Sequence, residues 1–313
     1  MRRRFPVIII IGVCPVKPSD RHALSACLRR CVAAGLLLLG LAGPAAGGPW
    51  TRAKGGHYAK FSASYLYTDT EYDYQGNEVP LLTSNPLVQS AAYREVDLSA
   101  YVEYGITDRI SLVGTLPFKI LTSRRTEISD IADLIREIDA TNAGLSDLSI
   151  GARQALVTGR WPVSVEVTGK VPLGYDATPD NGAPALGTGY ADLSGALLAG
   201  RSARGIYATA SAAYRVRGGP LADDVGFAAQ LGGSGGGFSA QALLEGWYST
   251  VDPEPLDVSS TVAVPNQDVL KLIASLGWQL NTEAAIVAEV YHVLQAKNAP
   301  AGTTAAVGLV LTR

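Results

Sequence analysis

Ser164-Val165-Glu166-Val167-Thr168-Gly169-Lys170-Val171 is the stretch that decides the fold. Every second residue is polar or charged, and the residues between them are Val, Val, Gly and Val. A period of two marks a β-strand, whose side chains alternate between the two faces of its sheet. Charges at alternate positions deep within a strand are expensive in a packed core, where nothing replaces their hydration. They are natural in a wall with water on one side and lipid on the other.

The pattern recurs along the chain, in Asp97-Leu98-Ser99-Ala100-Tyr101-Val102-Glu103-Tyr104 and in Asp147-Leu148-Ser149-Ile150-Gly151-Ala152-Arg153. Turn residues cut the sequence into twelve such segments, near 57–69, 92–104, 109–121, 145–157, 161–173, 188–199, 205–217, 224–232, 237–250, 267–280, 283–296 and 302–312. The connections alternate between short turns (Gly105–Asp108, Thr158–Arg160, Gly200–Arg204, Gly233–Gly236, Asn281–Thr282) and longer loops, of which 70–91, 122–144 and 251–266 are the longest and 174–187 the next. Short turns at one end and long loops at the other describe a transmembrane β-barrel with its long loops outside. Aromatics on the apolar parity fall near strand ends. Tyr104, Trp161, Phe238 and Trp278 lie near short turns, and Tyr67, Phe118, Tyr214 and Tyr248 near long loops. Two such belts suit rings that are apolar in body and polar at the tip. The fold expected is all-β, a single 12-stranded antiparallel transmembrane β-barrel.

The chain has 313 residues, 47% apolar and only 17% charged. Its apolar residues are dispersed, which excludes a multi-span helical membrane protein. A formal charge of −2 excludes a strongly basic nucleic-acid binder. Residues 1–47 carry Arg29-Arg30 and the apolar run 31–42, and their end falls in the small-residue patch Gly43-Pro44-Ala45-Ala46-Gly47-Gly48. Basic start, short apolar run and small-residue cleavage site together describe a secretory signal peptide. The expected division is a cleaved presequence at 1–47 and a barrel at 48–313. Without the presequence, 19 basic and 27 acidic residues remain, a net of about −8. All three cysteines, Cys14, Cys27 and Cys31, lie in the presequence, so the barrel has no thiol and no disulfide.

Three short motifs resemble those of a known family. Leu145 to Arg153 is similar to its "GxxDLxLGxR/K" strand, Lys170-Val171-Pro172-Leu173-Gly174 to its "K-x-P-x-G" corner, and Gly189-Tyr190-Ala191-Asp192-Leu193 to the start of its next strand. The family is the outer-membrane group of meta-pathway phenol-degradation proteins. The resemblance spans most of the barrel and implies transport of small organic compounds, aromatic or hydrophobic ones among them. One departure is the end of the chain, Leu309-Val310-Leu311-Thr312-Arg313, where such barrels carry an aromatic residue read by the insertion machinery.

Catalytic motifs are thin. Beyond the presequence the only histidines are His57 and His292, both near strand ends, and neither has a serine neighbour of the kind an outer-membrane lipid hydrolase needs. The Gly-rich run 231–237 lacks a following Lys and helix, so it reads as a turn. No enzyme activity, cofactor or metal is expected. The informative site is the lumen. Inward parity collects Asp97, Glu103, Asp147, Glu166, Asp192, Glu245 and Glu289 against Lys60, Arg153, Lys170, Arg215, Arg217 and Lys271. Mixed signs suit a cross-linked wall, a channel that selects solutes, or both. Asp-Leu-Ser occurs at 97–99, 147–149 and 192–194; these acids either attract cations at the mouth or stop the strand by bonding loop backbone.

The loop after the third strand breaks the β pattern. Ile128, Ile131, Ile135 and Ile138 recur at helical spacing, with acids on the other face, so a short helix over 127–140 is expected to lie across the mouth as a lid. The loop acids Glu71, Asp73, Asp223, Asp224, Asp252, Glu254 and Asp257 suit lipopolysaccharide bridged by divalent cations. The expectation is a channel or passive transporter in the outer membrane of a Gram-negative bacterium. Its partners are outer-membrane lipid and lipopolysaccharide, small-molecule solutes and the barrel-insertion machinery, with no nucleic acid. An outer-membrane enzyme and a structural or adhesive barrel are the alternatives.

Overall fold

The computed structural model describes residues 48–82, 87–128, 135–255 and 266–313. Its strands are β1 (His57–Thr68), β2 (Thr70–Tyr72), β3 (Glu78–Pro80), β4 (Val88–Thr107), β5 (Ile110–Ile128), β6 (Ile135–Leu145), β7 (Asp147–Val157) and β8 (Val163–Pro172). They continue as β9 (Asp192–Ala203), β10 (Ile206–Arg217), β11 (Asp224–Gly235), β12 (Phe238–Ser249), β13 (Asp268–Gln279), β14 (Ala284–Lys297), β15 (Ala299–Pro300) and β16 (Thr303–Thr312). All but β2, β3 and β15 form one antiparallel sheet of thirteen segments. β6 and β7 are one strand interrupted at Ser146, since both pair with β5. The count is therefore twelve. β1 pairs with β16 on one side and β4 on the other, which closes the barrel wall.

The alternation read from the sequence is the alternation of the wall. Leu193, Leu197, Ile150 and Leu276 are more than half exposed, whereas their chain neighbours Asp192 and Ser275 are buried. Such an outer surface would aggregate in water and is matched by acyl chains. The girdle residues Trp161, Phe238 and Trp278 project outward at the short-turn end, with Phe238 stacked on Trp278 at 6.4 Å. Tyr67 and Tyr214 project outward at the other end. Phe118 sits mid-strand, because β5 runs on to Ile128 rather than stopping near 121. Two-residue turns close two hairpins. Gly236 and Gly237 join β11 to β12 at φ 61° and 86°, and Arg204 and Gly205 join β9 to β10 at 52° and 81°. Positive φ at both central positions is the turn geometry that follows the strands' right-handed twist.

Among the described residues the helix expected over 127–140 is not formed. Ile128 ends β5, and 135–140 open β6 in register with it, so Ile128 faces Ile135 and Arg125 faces Ile138. Residues 129–134, with Ile131, lie outside the described residues. The physical reason is twofold. A helix of about 13 residues is marginal without a partner surface. Isoleucine is also β-branched and pairs well across strands. The hairpin thus extends beyond the barrel wall and satisfies its backbone by pairing. Within the expected loop 70–91, β2 and β3 form a small sheet with β15.

Candidate functional site

The inward face gathers the lumen residues into ion pairs at two levels. Near the short-turn end, Glu103 on β4 is fully buried and receives Arg153 Nη1 from β7 at 3.0 Å and Arg52 Nε at 2.6 Å. Arg153 Nη2 reaches Glu166 on β8 at 2.8 Å. On the adjoining wall Lys60 of β1, the strand next to β4, pairs with Glu289. Ser275 Oγ donates to Glu289 at 3.0 Å, Gln241 Nε2 to Ser275 at 3.1 Å and Gln230 Nε2 to Gln241 at 2.9 Å. Tyr207 OH donates to Gln241 at 2.7 Å. These bonds link β1, β14, β13, β12, β11 and β10 in sequence. Each such group is expensive to bury alone, and the continuous belt satisfies them together.

Arg52 belongs to a segment the sequence had left without a role. Residues 48–56 precede β1 and turn into the lumen, with Gly48 and Pro49 buried. Ser164 donates to Pro49 O. Arg153 Nη1 donates to Trp50 O at 3.3 Å, and Arg52 N–H donates to Ser111 Oγ at 2.8 Å. The Trp50 ring meets Tyr207 edge-on at 6.3 Å. Lys54 N–H donates to Asp108 at 2.9 Å. A side chain at Gly200 would crowd Pro49 Cγ at 2.9 Å, and one at Gly105 would overlap Ala53 O. The segment therefore fills the short-turn mouth, and the glycines make room for it.

The second level lies toward the long loops. Lys119 pairs with Glu95 at 3.1 Å, Lys271 with Glu245 at 3.3 Å, and Lys170 with both Asp147 at 3.0 Å and Asp192 at 2.8 Å. Asp97 faces Lys119 across the β4–β5 ladder. Arg215 pairs with Asp224, and Arg217 approaches the same carboxylate at 3.6 Å. Asp224 was expected among the loop acids. It is instead the first residue of β11 and only 1% exposed. Two of the three Asp-Leu-Ser acids, Asp147 and Asp192, act as braces. Asp192 accepts the Gly218 N–H at 3.1 Å, and Asp147 accepts the Tyr175 hydroxyl. Asp97 lies well inside β4 rather than at its start.

The described segment folded into this mouth is 173–191, whereas 127–128 and 135–140 belong to the β5–β6 hairpin. Ala183 and Leu186 are buried, and Ser146 at the break between β6 and β7 donates to Leu186 O. Asn142 Nδ2 donates to Pro184 O at 3.1 Å, and Lys170 Nζ donates to Thr188 at 2.8 Å. Tyr175 OH also accepts the Gly189 N–H at 2.9 Å. Burial, then the bond to Asp147, pushes the Tyr175 phenol up. Outside the wall, burial pushes the Glu71 carboxyl up in the small sheet, and backbone N–H groups hold Asp73 below the usual range.

Sequence parity missed Glu95 and Lys119, although both carry the inward parity, and it missed a companion pattern. Tyr93, Tyr101 and Tyr291 hydroxyls and Trp247 Nε1 each donate to a glutamate two residues away on the same strand and face, at 2.9, 2.6, 2.7 and 3.1 Å respectively. An aromatic two positions from an inward Glu is a signal the sequence carries. His57 bonds the last residue through its backbone, and His292 bonds Thr303 at 2.8 Å.

Comparison with known proteins agrees with this architecture. No protein-family model and no curated protein matches the sequence. Among solved structures, an outer membrane channel from Pseudomonas putida F1 superposes with a TM-score of 0.58 at 14% identity, covering 87% of this chain and all of that one. The KdgM porin aligns over 81% of this chain and 98% of its own at 6% identity and a TM-score of 0.43. The outer membrane phospholipase A of Escherichia coli aligns over 81% and 92% at 11% identity and 0.36. The first of these likenesses supports the outer-membrane barrel fold.

Proposed function

We propose that the protein is a channel or passive transporter for small organic compounds in the outer membrane of a Gram-negative bacterium, after removal of residues 1–47. The observation that carries this reading is the lumen. A barrel needed only as a membrane anchor can fill its interior with apolar side chains, whereas this one keeps paired charges and polar groups along its height. Paired charges present a wet wall with little net field, which suits neutral or weakly charged solutes. The family resemblance of the motifs at 145–153, 170–174 and 189–193 implies aromatic or hydrophobic compounds within that class. The two inward segments, 48–56 and 173–191, restrict passage to small molecules and make rate depend on their displacement.

Reconstitution of the cleaved protein tests this. In planar bilayers we expect small, discrete conductance steps. In liposomes we expect uptake of phenol and catechol ahead of sugars. A folded barrel that passes neither ions nor any solute of the panel would overturn the reading. Release of fatty acid from phospholipid would replace it with a hydrolase.

A further inference from the structure

We propose that Arg217, at the long-loop end of the lumen, is the recognition group of a binding site for the carboxylate of a small hydroxylated organic acid. The proposal rests on the channel reading, whose solute class it narrows. Arg217 lies on the inward face of β10, between outward neighbours and directly across from Asp192 of β9. Its side chain is 7% exposed. A guanidinium so placed should be held by a carboxylate fork, because burying its charge without hydrogen bonds is costly.

Neither carboxylate within reach gives it a hydrogen bond. Asp192 gives one oxygen to Lys170 at 2.8 Å and the other to Gly218 N–H at 3.1 Å. Asp224 gives its Oδ2 to the Nε and Nη2 of Arg215. Arg217 keeps one contact of 3.6 Å to that shared oxygen, too long for a hydrogen bond. Among the described residues no hydrogen bond reaches its guanidinium, and its Nε is buried without a partner. The other orphan beside it is Asp224 Oδ1, also buried and unpartnered. A donor fork and an acceptor left open in one cluster are complementary to a ligand with an oxyanion and a hydroxyl. The fork's planar geometry selects carboxylate over a spherical anion. Arg215, stacked over Trp247 at 4.3 Å and bonded to Asp224, holds that carboxylate away from Arg217 and so keeps the fork open.

The test is calorimetric titration of the folded, detergent-solubilised protein with salicylate, benzoate, phenol and chloride, with conductance measured separately. Salicylate should bind saturably, benzoate no more tightly, and phenol and chloride far more weakly. Arg217→Gln should weaken salicylate about tenfold or more while the barrel keeps its heat-dependent gel mobility. Arg217→Lys, which keeps the charge and loses the fork, should also bind more weakly than wild type. Phenol binding as tightly as salicylate, chloride displacing salicylate at equal concentration, or an unchanged affinity in a folded Arg217→Gln variant would each overturn the site. The comparison of ligands on the wild-type protein decides the matter even if the variants fail to fold. Binding without conductance would leave the site standing and remove the channel; conductance without binding would do the reverse.

Discussion

The two mouths of the barrel are filled in different ways. At the short-turn end the filler is the pendant segment 48–56, pinned by charge. Glu103, Ser111 and Ser164, which hold it, are completely buried, and the Arg52–Glu103 pair is largely shielded from water. At the long-loop end the filler is 173–191, tied to β8 and β9 at both ends and held by carbonyl contacts, a phenol and the buried apolar side chains Ala183 and Leu186. The difference is one of tether and strength. A segment attached on one side regains much conformational freedom when released, and therefore needs strong, buried, charge-assisted bonds to stay. A loop closed at both ends has less to regain and is held by weaker contacts.

The largest effect expected from breaking this comparison is on conductance. Deleting residues 48–54 should raise single-channel conductance several-fold without unfolding the barrel, because no strand and no hairpin connection is lost. Replacing 176–186 with a Gly-Ser linker of equal length should raise it less. Equal conductance of both variants and the parent in single-channel recordings would show that neither segment restricts the lumen.

The next effect is on stability. Glu103→Gln strips the charge that compensates Arg153 and Arg52 in a buried setting and should cost about 3 kcal/mol. Glu95→Gln breaks a pair whose members are each about a quarter exposed and should cost about 1 kcal/mol or less. Urea unfolding in detergent, followed by tryptophan fluorescence, measures both; similar losses would contradict the assignment of Glu103 to the stronger network.

A smaller and more local change is expected from Tyr175→Phe. It removes the hydroxyl shared by Asp147 and the Gly189 N–H, worth about 1 kcal/mol. Hydrogen exchange should quicken across 173–191 and stay unchanged in 48–56. Faster exchange in both would mean that the two mouths are coupled.

The smallest concerns the turn that carries Asp73, whose carboxylate accepts the N–H groups of Gln75 and Asn77 at 2.8 Å each. Its folded pKa is depressed, so its contribution is fully present above the usual Asp value and is lost as pH falls through the lowered one. Limited proteolysis at 73–77 should therefore increase only in acid, and Asp73→Asn should flatten that dependence. A parent protein whose cleavage rate is the same on both sides of this window would remove the role.

Legibility differed by element. Asp192 to Ala203 and Asp268 to Gln279 could be assigned to within a few residues, because one face meets lipid and the other water and a period of two leaves no alternative. Ile128 to Ile138 could not. A spacing of three and four is also compatible with a hairpin, and the deciding factor was a partner strand available at Arg125 and Ile128. Parity singled out several acids, though not Glu95, and it gave none of their partners. Lys170 chooses Asp147 and Asp192, and Arg215 takes Asp224, because strand register brings them together across neighbouring strands.

By itself, the sequence determined the class of fold, the strand count and the alternation behind the apolar outer wall. Each of these is a local consequence of alternation and turn chemistry, carried by residues close together in the chain. Only the tertiary structure decided what fills the lumen. The place of 48–56 depends on Glu103, Ser111, Arg153 and Ser164, and that of 173–191 on Asn142, Ser146 and Asp147. Those contacts form only once the barrel has closed, and no periodicity along the chain encodes them.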